Sequence, residues 1–451
     1  MSMAEPRYLS RADSEALAQK ILSYSTADEA RVNLNSQTTG NTRFAMNQVS
    51  TSGDAYDSSI TVSSAFGKKV ASATTNRLDD EGLRAVVQTS ERLARLVPED
   101  PEYLGELGAQ TYVPVEPYFD STANMTPAQR AQAVRQVAEP AARQGMLSTG
   151  FLTHYTGSQA VATKRGLFAY ARGTGSSFTT TVRTPDGTGS GWAGGGENDW
   201  SKMNIAELGE RAIRKAELSR NPKAVEPGEW TVILEPTAVA NLVNLMVFGM
   251  QARGADEGRS FFSKQGGGNK IGEKFLDERV SIISDPADPR TATTPFTGEG
   301  LPNNRTTWVQ NGVLKNLVYG RFWAQKNNVQ PTGFPGAYAM SGGNSSIEEM
   351  IRSTERGLLV TRLWYIRPVD PRTILYTGLT RDGTFLIENG RITSSVKNLR
   401  WNESPIFLLN NIDMMSEPVR VTSSEDGDGG SVLVPAIKAR DFTFTSLSDA
   451  V

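Results

Sequence analysis

Cysteine is absent from the 451 residues, and histidine occurs once, at His154. Without cysteine there is no disulfide, no thiolate nucleophile and no cysteine-ligated zinc or iron–sulfur site. With one histidine, a zinc site needing two imidazoles from this chain is excluded. A serine–histidine triad could use His154 alone, but "MLSTGFLTHYTGSQA" alternates as a strand does, so His154 is expected to sit on a strand face rather than in a catalytic site. No charge sign dominates: 47 basic residues stand against 49 acidic ones, a net charge of -2. Nucleic acid and anionic membranes are therefore not expected partners. The opening "MSMAEPRYLSRADSEALAQKILSY" has no apolar run of the kind a signal peptide needs, and no stretch is long and apolar enough to span a bilayer. A cytoplasmic protein is the expectation.

What is present is ordinary globular material. Hydrophobic residues make up 38% and charged residues 21%, enough for a sizeable core and for two or three domains. The first half mixes helices with strands. Leu17, Ile21 and Leu22 recur at helical spacing, and Ala30, Val32 and Leu34 alternate as a half-buried strand. "NTRFAMNQV", "SSITVSSAF" and "KKVASATTN" read as an antiparallel meander with turns at "GDAYD" and "GKK". "LDDEGLRAVVQTSERLARLVP" is a helix with Leu83, Val86, Val87, Leu93 and Val97 as its apolar stripe. Asp79, Asp80 and Glu81 crowd its start, where carboxylates complement the helix dipole; capping is the expected role, not metal binding. Thr126 and Pro127 open a second helix, and "MNIAELGERAIRKAELSRN" makes a third. The glycine-rich "PDGTGSGWAGGGENDW" lacks both phosphate-loop patterns and reads as a mobile surface loop or lid.

"NPKAVEPGEW", Asn221 to Trp230, is the best linker candidate, because proline and glycine interrupt both periodicities. Beyond it the chain is strand-rich, with "QNG" and "ENG" marking hairpins. The expected fold is α+β in two domains. Residues 1–225 form a mixed α/β domain with an antiparallel sheet and flanking helices. Residues 226–451 form a β-rich domain carrying one buried helix. That helix follows a strand and a tight turn in "WTVILEPTAVANLVNLMVF", where an enzyme would place its site; yet "EPTAVAN" holds little that could do chemistry.

Several second-half strings go further. "TPFTGEGLPNNRTTWVQNGVLKNLVYGRFWAQKNNVQPTGF" carries E-G-x-P, R-T, N-G-x-L-K and T-G in order, and "ERGLLVTRLWYIRPVDPRT", "GTFLIENGRITSSVKNLR" and "GGSVLVPA" follow. This series resembles the TldD/PmbA family, most strongly from about Trp230 onward. The resemblance implies a zinc peptidase in active members: H-E-x-x-x-H on a helix after a strand, with a cysteine near the C-terminus as a further ligand. It also implies a pair of related chains, one catalytic and one lacking the metal ligands.

This chain departs from that pattern at every ligand. Laid over the motif, Pro236 and Asn241 take the places of the histidines, Thr237 that of the glutamate, and Glu425 that of the cysteine. Proline offers no side-chain donor or acceptor, and threonine is no base near neutral pH. No catalytic or metal-ligating residue is therefore expected here, and the resemblance places zinc in a partner subunit. The chain reads as the TldE-like, non-catalytic subunit of a heterodimer that processes unfolded peptides. Two alternatives stand beside it. One is a relocated carboxylate metal site at "SSEDGDGG", with Glu425, Asp426 and Asp428, which lacks the full calcium-loop spacing. The other is a stand-alone or homodimeric peptide-binding or regulatory module that adds a peptide strand to an open sheet edge.

Overall fold

A computed structural model describes residues 8–334, 336–421 and 432–448. The first sheet has six antiparallel strands in the order β3-β2-β1-β4-β5-β6. They are β1 (Glu29–Ala45), β2 (Gln48–Phe66), β3 (Lys69–Thr75), β4 (Leu147–Thr163), β5 (Phe168–Arg183) and β6 (Ser190–Glu197). Helices cover one face: α1 (Arg11–Tyr24), α2 (Asp80–Leu96), the single turn α3 (Asp120–Ala123), α4 (Pro127–Arg143) and α5 (Ile205–Leu218). Alternation decides which side chains meet them. Val32, Leu34, Ile60 and Val62 pack with Ile21, Leu83, Val86 and Val87 under α1 and α2. Phe44, Leu152, Phe178 and Val182 pack with Val134, Val137, Ala212 and Ile213 under α4 and α5.

The helix starts follow their sequence signals. Asp79 caps α2 by accepting from the Gly82 N–H, and Thr126 with Gln129 forms a capping box on α4, with Pro127 in its first turn. The α2 stripe differs in one respect: Leu93 faces solvent, and Ser90, Glu91 and Ala94 are buried. The Glu91 carboxylate accepts from the backbone of Thr26 and Ala27, so tertiary hydrogen bonds rotate that turn inward.

Two turn expectations are overturned. "GDAYD" is not a turn; it lies inside β2, which pairs with β1 along its whole length. The chain reverses at Met46 and Asn47, both at positive φ. Asn47 is clamped from outside the hairpin, donating to the Met146 carbonyl and accepting from the Ser148 N–H at 2.7 Å. The glycine-rich stretch is not a mobile lid either, since Ser190–Glu197 is the ordered edge strand β6 on β5. Its glycines serve close packing. A Cβ at Gly191 would lie 2.2 Å from the Ala212 carbonyl, and one at Gly189 would lie 2.3 Å from that of Ala216. Helix α5 can therefore rest on the backbone of this strand.

The second half forms two further sheets. A six-stranded sheet runs β10-β9-β8-β11-β20-β19. Its strands are β8 (Ile282–Ser284), β9 (Thr306–Gln310), β10 (Val313–Leu314), β11 (Ala339–Met340), β19 (Val419–Val421) and β20 (Val432–Val434). A nine-stranded sheet runs β13-β14-β17-β21-β7-β12-β15-β16, with β18 paired to β21. It uses β7 (Gly228–Leu234), β12 (Arg356–Val360), β13 (Leu363–Asp370), β14 (Leu375–Thr380), β15 (Thr384–Glu388), β16 (Arg391–Ser395), β17 (Leu399–Glu403), β18 (Ile412–Met415) and β21 (Ile437–Leu447). The buried helix is α6 (Pro236–Phe248), and its Leu242, Val243 and Met246 share one core with residues from both sheets. The hairpins expected at "QNG" and "ENG" are present. Asn311–Gly312 and Asn389–Gly390 turn with positive φ at both residues, the pairing that matches strand twist. The fold is thus α+β, with an antiparallel N-terminal sheet and a β-rich second half. Among the described residues, the first sheet uses no strand beyond Glu197 and the other two use none before Gly228.

Candidate functional site

The strand–turn–helix platform is built as its sequence suggests. Strand β7 is central in the nine-stranded sheet, parallel to β12 and antiparallel to β21. The chain leaves it at Glu235, whose extended backbone precedes α6, and Pro236 fills the first helical turn. Pro236, Thr237 and Asn241 all lie on this helix, and Thr237 and Asn241 are buried. Glu425 lies outside the described residues, as do Asp426 and Asp428.

These residues do not fit zinc. A proline, a threonine and an asparagine supply no imidazole, thiolate or carboxylate, the groups zinc sites use. Among the described residues, no three His, Asp or Glu side chains converge. The one histidine is elsewhere. His154 lies on β4, buried beneath α4, with Nε2 2.9 Å from the guanidinium of Arg130.

Around the start of α6 the structure assembles charged groups that periodicity alone does not reveal. Glu235 caps α6 with no side-chain hydrogen bond to the helix; its carboxylate instead accepts from Lys215 Nζ of α5 at 2.7 Å. Lys215 also reaches the Trp192 carbonyl at 3.4 Å. Burial pushes the Lys215 pKa down, opposed by the charge and hydrogen bond of Glu235. One signal was legible: Lys215 falls beside Ala212 and Ala216 on the apolar stripe of α5, where a solvated lysine has no place.

Strand β6 carries the first half across this platform. At one end, Ser190 Oγ donates to Asp382 Oδ1 at 2.6 Å, and Asp382 is paired with buried Arg362 at 2.9 Å. The Arg362 guanidinium lies between the rings of Trp192 (4.8 Å) and Trp364 (4.5 Å). At the other end, Arg420 on β19 bonds the Asn198 side chain and the Arg290 carbonyl, with Glu197 beside it at 3.7 Å. Burial disfavours charge on both: it lowers the Arg420 pKa and raises that of Glu197. These groups are held by one another. They can lock two halves of a chain together: Ser190 stands as a hydroxyl beside the Asp382 carboxylate, but that carboxylate is already paired with Arg362.

Comparison with known proteins gives the frame. Sequence models of the PmbA/TldA metallopeptidase family match as domain 1 over residues 30–94, the central domain over 122–220 and the C-terminal domain over 227–446. The metalloprotease PmbA of Escherichia coli O157:H7 is 26% identical over 226 residues, which are 49% of this chain and 48% of that protein. A metalloprotease TldD homolog of Buchnera aphidicola is 23% identical over 242 residues, 50% of this chain and 48% of that one. The chain thus spans about half the length of these curated relatives. The crystal structure of TldE from Thermococcus kodakarensis superposes over 96% of this chain and 100% of that one, with TM-score 0.84 at 17% identity, a likeness of fold. Three consecutive domain matches, with the strand–turn–helix platform inside the third, make this chain a member of the PmbA/TldD metallopeptidase family.

Proposed function

We propose that this chain is the non-catalytic subunit of a two-chain zinc peptidase of the TldD/TldE type, which processes or degrades unfolded peptides. A homologue bearing H-E-x-x-x-H holds the zinc, and this chain helps to shape the shared peptide cavity. The observation that carries the reading is α6. Its core-facing residues Val239, Leu242, Val243 and Met246 are fully buried, while the motif positions hold Pro236, Thr237 and Asn241. Packing on the platform is kept and the ligand chemistry is lost. A zinc site there would need imidazole and carboxylate groups that the helix does not supply. We place the complex in the cytoplasm. A TldD homolog is similar to this chain in sequence and a protein named TldE is similar to it in fold, and the two names together support a pairing of two related kinds of chain.

The test is co-expression with a homologue that carries the motif, followed by size exclusion, elemental analysis and a peptide-cleavage assay. One-to-one co-elution is expected, with zinc in the homologue and cleavage that needs both chains. A catalytic homologue fully active alone, eluting apart from this chain, would leave the stand-alone peptide-binding module as the better account. Stoichiometric metal on this chain by itself would favour the carboxylate site.

A further inference from the structure

A small cleft of about 120 Å³, open to solvent, lies where the uncovered face of the first sheet meets the Ala292–Thr294 segment of the second half. Strand register decides what lines it. In successive rows across β1, β4 and β5, Asn35 stands opposite Gln159 and then Ala171. Gln37 stands opposite Gly157 and then Gly173, and Thr39 opposite Tyr155 and then Gly175. Alternation puts all of these side chains on the same face. Three glycines and an alanine add little bulk to these rows, and Pro117 covers the middle of them: a Cβ at Gly173 would sit 3.5 Å from its ring. Carboxamides stand along one side, and the Tyr155 ring lies down over Gly175: a Cβ there would sit 2.4 Å from ring atom Cε1.

The rim is uncommitted. Asn35, Gln37 and Gln159 are exposed, and their amides bond no group among the described residues. Their neighbours differ: Asn33 donates to the Gly298 carbonyl, and Asn198 is held by Thr174 and Arg420. Among the described lining residues the one charged side chain, Arg172, is paired with Glu116, and Arg420 stands just behind the lining, bonded to Asn198. A primary carboxamide offers N–H donors and a carbonyl acceptor, the same pair that a peptide group offers. Asn35, Gln37 and Thr39 repeat every second residue along one strand, which is the repeat of an extended chain laid beside it.

We infer that this cleft binds an extended stretch of polypeptide through its backbone. The three carboxamides, exposed along the rim of the cleft, pair with peptide N–H and C=O groups. Recognition of main chain by uncharged groups makes affinity nearly independent of the ligand's side-chain charge. This deepens the peptide-handling reading and rests on it for the nature of the ligand, but it needs no partner subunit.

The test is calorimetric titration of the purified chain with a blocked Ser-Gly repeat peptide, with versions of that peptide carrying two Lys or two Asp, and with cellohexaose. Saturable peptide binding is expected, with the charged versions within about threefold of the neutral one. The triple variant Asn35→Ala, Gln37→Ala, Gln159→Ala is expected to bind about tenfold more weakly or worse. Its melting temperature should be unchanged, because these side chains are exposed. Absence of saturable heat at millimolar peptide would overturn the inference, as would unchanged affinity in the triple variant or binding set by peptide charge. Cellohexaose binding in place of peptide would reassign the cleft to neutral sugars. Failure to pair with a catalytic homologue would instead sink the proposed function and leave this result standing.

Discussion

At the scale of single residues, the polar groups that matter are those withdrawn from water. Arg130 is fully buried, and its guanidinium meets Asp54 at 2.8 Å, His154 at 2.9 Å and Thr42 at 3.1 Å. Removing a buried charge from such a network strands its partners. Arg130→Met is expected to lower unfolding stability by about 3 kcal/mol, read from urea denaturation. His154→Ala, at the same network, should leave cleavage by the assembled complex within a few-fold of wild type; a loss of several orders of magnitude with assembly intact would give His154 a catalytic role. Glu403 supplies a pH dependence. It accepts from the Ser404 and Thr443 N–H groups, yet burial raises its carboxyl pKa from 4.5 to about 7, with Glu229 adding in the same direction. The folded state therefore holds the proton more tightly than the unfolded one. The contribution is complete below about pH 4.5 and is lost as pH rises to about 7, by roughly 3 kcal/mol at most. Denaturation midpoints of Glu403→Gln should vary less between pH 5 and 8 than those of wild type, by an amount of this order.

At the scale of elements, helix α5 and the turn before α6 are joined by the Lys215–Glu235 pair. Breaking one side leaves a carboxylate in a largely buried site, which costs more than the pair itself contributes. Lys215→Met is expected to destabilise by about 3 kcal/mol, and the double change Lys215→Met, Glu235→Gln by clearly less. A thermodynamic cycle over the four proteins checks it; additive losses would mean the two residues do not interact. Local signals wrote most elements into the sequence. The capping box at Thr126, the Asp79 cap and the two Asn-Gly hairpins all depend on contacts within a few residues, so they could be read directly. The reversal at Met46–Asn47 could not, because its anchors, Met146 and Ser148, lie about a hundred positions away. The glycine-rich β6 misled for a related reason. In isolation its composition suggests mobility, but its glycines are required by a helix packed on the strand.

At the scale of the whole molecule, β6 joins the two halves. Arg362 between Trp192 and Trp364, with Asp382 against Ser190, links the first sheet to the last. We propose the domain boundary at residues 225–226, between these sheets. Arg362→Met should loosen the junction, so that limited proteolysis cuts faster within residues 221–227 while hydrogen exchange inside each sheet stays slow. Equal loosening of both sheets would mean the halves unfold as one unit. Among the described residues, no helix is long and apolar enough to cross a membrane.

The sequence by itself determined the fold class, the strand–turn–helix platform and the family. Those rest on periodicity, turn chemistry and ordered strings, all of which are local in the chain. The single histidine and the absence of cysteine also excluded a histidine–cysteine zinc site, since composition alone limits which ligands a chain can supply. Only the tertiary structure decided which polar groups are withdrawn from water and which are left available. Lys215 meets Glu235, Ser190 meets Asp382 and Arg420 meets Asn198 across separations of 20 to 222 residues. The carboxamides of Asn35, Gln37 and Gln159 converge through sheet register. Burial and register arise when distant strands pair, and a linear pattern carries no record of which strand will lie beside which.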